Sequence, residues 1–172
     1  EVKKQEPLSY SLHLAVAPTK LNDRYEWFLE KATEIGITEI TPIICNHSER
    51  KAVKIDRFEK KIQSAMKQSL NGYLPKINKA IAFGDFLKLQ EGNLHQKLIA
   101  HCEEGTKKSL KSVLKPNDNT TLLIGPEGDL STNEISESIK AGFIPVTLGN
   151  NRLRTETAAI VACHSVAFFN ED

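Results

Sequence analysis

Leu122-Leu123-Ile124-Gly125-Pro126-Glu127-Gly128 is an apolar run that breaks into a glycine loop, and Val146-Thr147-Leu148-Gly149 repeats the pattern downstream. Each run is short and closed by Gly, which reads as a buried parallel strand entering a loop at its carboxyl end. A helix between them has a marked start. Ser131 and Glu134 make a capping box, Ile135 and Ile139 share the inward face, and Gly142 closes it. Strand, Gly loop, helix, strand, Gly loop, helix predicts an open α/β sheet whose ligand crevice is built from these two loops.

Outward from that unit, strand and helix patterns alternate along the whole chain, so the fold class is α/β with a mainly parallel sheet flanked by helices. The polar stretch 1–9, with Pro7, reads as a linker or the tail of a preceding domain. Residues 11–16 alternate as a strand, and Asn22 is placed to cap a helix over 22–35, with Phe28, Ala32 and Ile35 inward and Gly36 at its stop. Residues 37–45 are β-rich, with Pro42 arguing for an edge position or a break. A second helix is predicted over 55–69, with Phe58, Ile62 and Met66 inward and Asn71-Gly72 ending it. Residues 77–83 read as a strand, 84–89 as a turn with a short helix, 97–102 as a strand and 107–114 as a brief basic helix. The last helix, over 158–169, is apolar on nearly every side, which predicts burial all round and a contribution to a dimer interface.

The totals bound the function. A chain of 172 residues suits one domain with a substantial core. A formal net charge of +1 leaves no global nucleic-acid footprint, so RNA contact must rest on local clusters. Cys45, Cys102 and Cys163 are far apart and odd in number, and neither they nor the five histidines show metal-ligand spacing. No metal site, signal peptide or bilayer-length apolar run is expected, and the chain reads as soluble and cytoplasmic. No G-x-G-x-x-G follows a strand, which disfavours a Rossmann nucleotide enzyme.

Ile124-Gly125-Pro126-Glu127-Gly128 and Leu148-Gly149-x-x-x-Leu153-Arg154-Thr155-Glu156-Thr157-Ala158, in that order, resemble the bacterial small-subunit ribosomal RNA methyltransferase E family of the SPOUT superfamily. Lys31-Ala32-Thr33-Glu34-Ile35-Gly36 with Ile40-Thr41-Pro42, and Gln68-Ser69 followed by Pro75, extend the resemblance over roughly residues 10–170. It implies a SPOUT fold with a C-terminal trefoil knot, a homodimer that completes the site, and S-adenosylmethionine as methyl donor. The implied reaction is methylation of a uridine N3 in small-subunit (16S) ribosomal RNA, with the rRNA or the assembled small subunit as partner and no membrane. Residues 1–10 are then a linker or the tail of an N-terminal RNA-binding domain of the PUA type, and 11–172 the methyltransferase domain. The sequence departs from the family pattern at Asp129, Asn151 and Leu70-Asn71-Gly72, where the family has Gly, Arg and a leading Arg.

On that reading Gly125, Gly128 and Gly149 let the backbone approach the donor, and Ile124, Leu148 and Leu153 wall it. Ala100 and His101 form a third wall, and Pro126, Glu127, Arg154, Thr155 and Thr157 complete the donor-binding set. Arg154 is the candidate for stabilising negative charge on uracil O2 and O4 when N3 loses its proton. The proton goes to Glu127, to Glu156 or to solvent. Structural readings stand beside these: Arg154 bracing the loops through backbone carbonyls, Glu127 bonding loop N–H groups, and Thr155 or Thr157 capping the last helix. Arg50, Lys51, Lys54, Arg57 and Arg152 are the candidate RNA contacts, with a solvated helix face as the other explanation of the cluster. Two other functions remain: a SPOUT enzyme acting on tRNA ribose or guanine, and a non-catalytic RNA-binding dimerisation module.

Overall fold

The structure, a computed structural model, describes residues 7–171. Residues 1–6, the greater part of the expected linker, lie outside the described residues. Tyr10 belongs to the core instead of a linker. Its ring is buried, and its hydroxyl donates to Gly36 O at 2.9 Å, satisfying a carbonyl left over where the first helix ends.

Among the described residues eight strands make one sheet: β1 (Ser11–Val16), β2 (Glu39–Ile44), β3 (Lys76–Ile77), β4 (Ile81–Ala82), β5 (Gln96–Ala100), β6 (Lys108–Ser109), β7 (Asn119–Ile124) and β8 (Ile144–Thr147). Their order is β3-β2-β1-β7-β5-β8-β6, with β4 also on β2, and every pairing among the described residues is parallel. The helices are α1 (Asn22–Ile35), α2 (Ile55–Gln68), α3 (Phe83–Leu89), α4 (Leu110–Val113), α5 (Thr132–Lys140) and α6 (Thr155–Phe169). Pleat alternation divides the core. Leu12, Leu14, Val16, Leu122 and Ile124 pack with α1, α2, α4 and α6, whereas Ala15, Leu123 and Ile99 pack with α3 and α5. Both faces are covered, as an all-parallel sheet requires.

The central unit has the expected elements. Ser131 and Glu134 form the reciprocal capping box of α5, and Gly142, at φ 91°, follows the helix in the left-handed region. Ile135 is buried, but Ile139 is exposed because α5 buries only the stripe through Glu134, Ile135 and Ser138.

Several local expectations are corrected. Asn22 is the first residue of α1 rather than its cap; Leu21 holds that position with no side-chain bond, and Asn22 Nδ2 donates to Glu26 one turn on. Of the two readings of Pro42, the edge fails, since β2 has neighbours on both sides, and the break holds. Lys76 N and Asn78 N donate to Thr38 O and Ile40 O, so the even positions of β2 face β3 and β4. Pro42 falls in the gap between those two short strands, where its missing N–H costs no ladder bond. For the same reason residues 77–83 form two short bridges and then the start of α3, not one strand. Residues 108–109 pair with β8, which shortens the expected basic helix to α4. In α2 the inward residues are Phe58, Ile62 and Ala65, with Met66 only half-buried. The left-handed residue ending α2 is Leu70, at φ 57°.

Candidate functional site

Because all strands run the same way, the loops after β5, β7 and β8 gather at one end of the sheet. They enclose a cavity of about 560 Å³, which Ala158 at the start of α6 also lines. That volume lies within the roughly 300–1,000 Å³ usual for small-molecule sites. The wall is apolar where the strands end, at Ala100, Ile124, Val146, Leu148 and Leu153, and polar on the loops.

The loop after β7 is fixed from three directions. A Cβ on Gly125 would lie 2.8 Å from Leu130 Cγ and 3.0 Å from Leu130 N, so only glycine lets the loop fold back so closely. Asp129 takes the left-handed region at φ 64°, and its N–H donates to Pro126 O at 2.9 Å. Aspartate tolerates that backbone better than most residues, and here its carboxylate adds two bonds. Oδ2 accepts from Cys102 N at 2.8 Å and Oδ1 from Leu130 N at 2.9 Å, tying the loops after β5 and β7 together. Thr155 Oγ1 donates to Gly125 O at 3.0 Å, which locks the first turn of α6 onto the same loop. The loop after β8 turns at Gly149, at φ 139°, over a Thr147 hydroxyl that donates to Gly149 O at 2.7 Å.

The charged lip is asymmetric. Arg154, the residue before α6, lines the cavity and is exposed, and among the described residues its guanidinium has no hydrogen-bond or ion-pair partner. The bracing role read from the sequence is therefore not what its side chain does. Arg152 and Lys107 also line the cavity. On the acidic side, Glu127 Oε1 accepts from Lys20 N at 2.9 Å. His101 sits in the wall with Nδ1 buried and without a protein partner. Burial first, and Lys107 second, hold its pKa below the ordinary histidine value, so the ring is neutral near pH 7.

The structure brings Ala100, His101, Ile124, Gly125, Pro126, Glu127, Leu148, Gly149, Leu153, Arg154 and Thr155 to one cavity. Gly128 is not among its lining residues; a Cβ there would lie 3.1 Å from His47 Cβ, so it is needed for packing under the β2–α2 loop. Thr157 is also absent, because two residues into α6 the helix has turned it away, half-buried. Neither threonine caps α6. Glu156 lies outside the cavity too, buried 3.9 Å from Arg24 Nε. Of the expected RNA contacts, Arg152 is at the cavity and Lys51 and Lys54 are exposed. Arg57 pairs with Glu26, and Arg50 donates to Thr19 O and Lys20 O, so both guanidinia are engaged within the chain. The cavity lining also takes in Asp129, Cys102, Lys107 and Asn150, none of them among the site residues expected from the sequence. A signal existed only for Asp129, an acidic residue closing a Gly loop. Among the described residues no group of His, Cys, Asp and Glu is placed to hold a metal ion, and no helix is long and apolar enough to cross a membrane.

Comparison with known proteins identifies the family. The family model described as RNA methyltransferase domain matches residues 5–167. The chain is 37% identical over 154 residues to the ribosomal RNA small subunit methyltransferase E of Mesomycoplasma hyopneumoniae, a match covering 87% of this chain and 65% of that protein. It thus spans less than two thirds of that relative. The crystal structure of a probable rRNA-methyltransferase from Porphyromonas gingivalis superimposes with a TM-score of 0.89 at 38% identity, covering 97% of this chain and 71% of that one. A ribosomal RNA small subunit methyltransferase E from Neisseria gonorrhoeae, bound to S-adenosyl methionine, superimposes with a TM-score of 0.87 at 27% identity, covering 98% and 70%.

Proposed function

The chain belongs to the RNA methyltransferase domain family, and from that premise we propose that it methylates N3 of a uridine in small-subunit ribosomal RNA, with S-adenosylmethionine as donor. The observation that carries the reading is the cavity between the two Gly loops, with an unpaired Arg154 and a tethered Glu127 on its lip. Names of relatives and the donor-bound Neisseria structure support it. The SPOUT knot belongs to the same reading, and it needs the crossover the chain makes, which leaves β8 on the far side of β5 and returns to pack α6 against α1, β1 and β7.

The cavity fits the donor. Its volume suffices, its apolar strand ends suit an adenine face, and the orphaned His101 Nδ1 and loop backbone groups offer polar contacts. Ala100, Ile124, Leu148 and Leu153 would wall the donor, and Gly125, Gly149 and Thr155 would shape its loops. Bound there, it would supply an electrophilic methyl group on a sulfonium. The chain's own residues handle charge and proton. Uracil N3 must give up its proton before its lone pair can react, which spreads negative charge onto O2 and O4. Arg154, with no protein partner, is free to meet that charge. Of the two carboxylates at the cavity, Asp129 has both oxygens engaged by Cys102 N and Leu130 N, so Glu127 takes the proton, whereas Glu156 is buried elsewhere. Arg152, Lys51 and Lys54 are left for RNA phosphates.

A homodimer in the cytoplasm completes the proposal. Phe168, 65% exposed on the otherwise apolar α6 and stacked with His164 at 5.9 Å, supports a partner against that helix, and three unpaired cysteines support a reducing compartment. Calorimetric titration with S-adenosylmethionine tests the reading. Saturable binding is expected, weakened at least about tenfold by Ala100→Leu, which extends a side chain into the cavity. Absence of binding by a folded sample overturns it.

A further inference from the structure

Arg50 lies in the loop between β2 and α2, and its guanidinium donates to two consecutive carbonyls of the loop after β1. Nε reaches Thr19 O at 3.2 Å and Nη2 reaches Lys20 O at 2.9 Å. The Thr19 carbonyl and the Lys20 N–H belong to the same peptide unit, and that N–H donates to Glu127 Oε1 at 2.9 Å. A cation, one peptide group and a carboxylate thus stand in series. A guanidinium on the peptide oxygen polarises the unit and strengthens its N–H as a donor, so the two bonds reinforce each other. The same loop is tethered elsewhere: Ala17 N donates to Ile124 O at 3.0 Å, and Lys20 Nζ pairs with Glu49 at 2.9 Å. The second of these is exposed and contributes little alone. Arg50 therefore holds the carboxylate's backbone partner in place.

We propose that Arg50 is a positioning residue for Glu127. It sets the Thr19–Lys20 peptide so that Oε1 is pinned and the second carboxylate oxygen is left for the substrate proton. Arg50, expected from its basic cluster to contact RNA, is instead turned inward onto the carbonyls that hold Glu127's partner. Its kinetic side rests on Glu127 being the proton acceptor, and its structural side stands on geometry alone.

The test is a double-mutant cycle on the full chain with Arg50→Ala and Glu127→Gln, singly and together, read as methyl transfer to small-subunit rRNA and as the amide proton shift of Lys20 by NMR. Arg50→Ala is expected to slow transfer at saturating RNA by about tenfold or more when Glu127 is present, and by less than about twofold in Glu127→Gln. The downfield shift expected of a Lys20 amide bonded to a carboxylate should shrink in Glu127→Gln, whose amide oxygen is a weaker acceptor, and shrink also in Arg50→Ala, with Arg50→Lys restoring part of it. Equal losses in both backgrounds would make Arg50 a folding residue and overturn the proposal. So would a raised KM for RNA at an unchanged saturated rate, the mark of a phosphate contact. A Lys20 shift that survives Arg50→Ala also overturns it. If the unaltered chain transfers no methyl group, the proton-acceptor reading falls, and the Lys20 resonance still decides the placement of Arg50.

Discussion

Arg154 carries a full positive charge at the cavity, and no described residue neutralises it. An unpaired guanidinium in such a place is free to meet charge that develops only during reaction. Arg154→Ala should therefore lower the rate of methyl transfer by roughly 10²–10³-fold, as loss of a charge-stabilising donor does elsewhere. Its thermal midpoint should stay unchanged, since among the described residues its guanidinium has no hydrogen-bond or ion-pair partner to lose; transfer assays beside a melting curve check both halves. Arg154 was readable from its motif, as were the loop glycines. Asp129, Lys20 and Arg50 carry equally specific jobs, and the partners they take were announced by no motif. Their partners lie 27, 107 and 31 residues away in sequence, and short-range patterns hold no information about such pairs.

Helix ends show local chemistry and its limits. After α5, Phe143 N donates to Ser138 O at 2.9 Å and Gly142 N to Ile139 O at 3.0 Å around a left-handed glycine. After α2 the same pair of bonds recurs, Asn71 N to Met66 O at 3.0 Å and Leu70 N to Lys67 O at 3.3 Å, but the left-handed residue is a leucine. Its side chain is 88% exposed and packs on nothing that would repay the strain. Leu70→Gly should stabilise the fold by about 1 kcal/mol, measured as a higher urea midpoint at unchanged slope. The helix over 55–69 was legible from its amphipathic spacing. Its stop was not, because a bulky residue in this conformation contradicts the local rule that puts Asn71-Gly72 there.

Across the whole molecule, the parallel sheet buries polar groups as well as apolar ones. His13, on β1, bonds Thr41 Oγ1 on β2 at 2.7 Å. Burial, the largest cause, pushes its pKa below the ordinary histidine value, against the pull of Glu39 and with help from Lys76 and His95. The unfolded chain would take up a proton near pH 6.5, whereas the folded chain resists it, so stability must fall as pH drops below about 6.5 and level off beneath the folded pKa. His101 is shifted the same way and adds to the slope. Urea midpoints at pH 7.5 and 5.5 should differ in that direction, and by less in His13→Gln. Features that depend on neighbours along the chain are legible without the fold. Apolar periodicity and capping residues set the alternation of strands and helices, and glycines at strand ends marked the two loops that wall the cavity. Only the tertiary structure decided which strands are neighbours, with β7 inserted between β1 and β5. It alone decided that Pro42 sits at a break inside the sheet, that Thr157 turns away, and that Arg50 serves a backbone carbonyl rather than solvent. These outcomes follow from packing and hydrogen-bond satisfaction between segments far apart in the chain, and such bonds exist only once the sheet has brought its loops to one end.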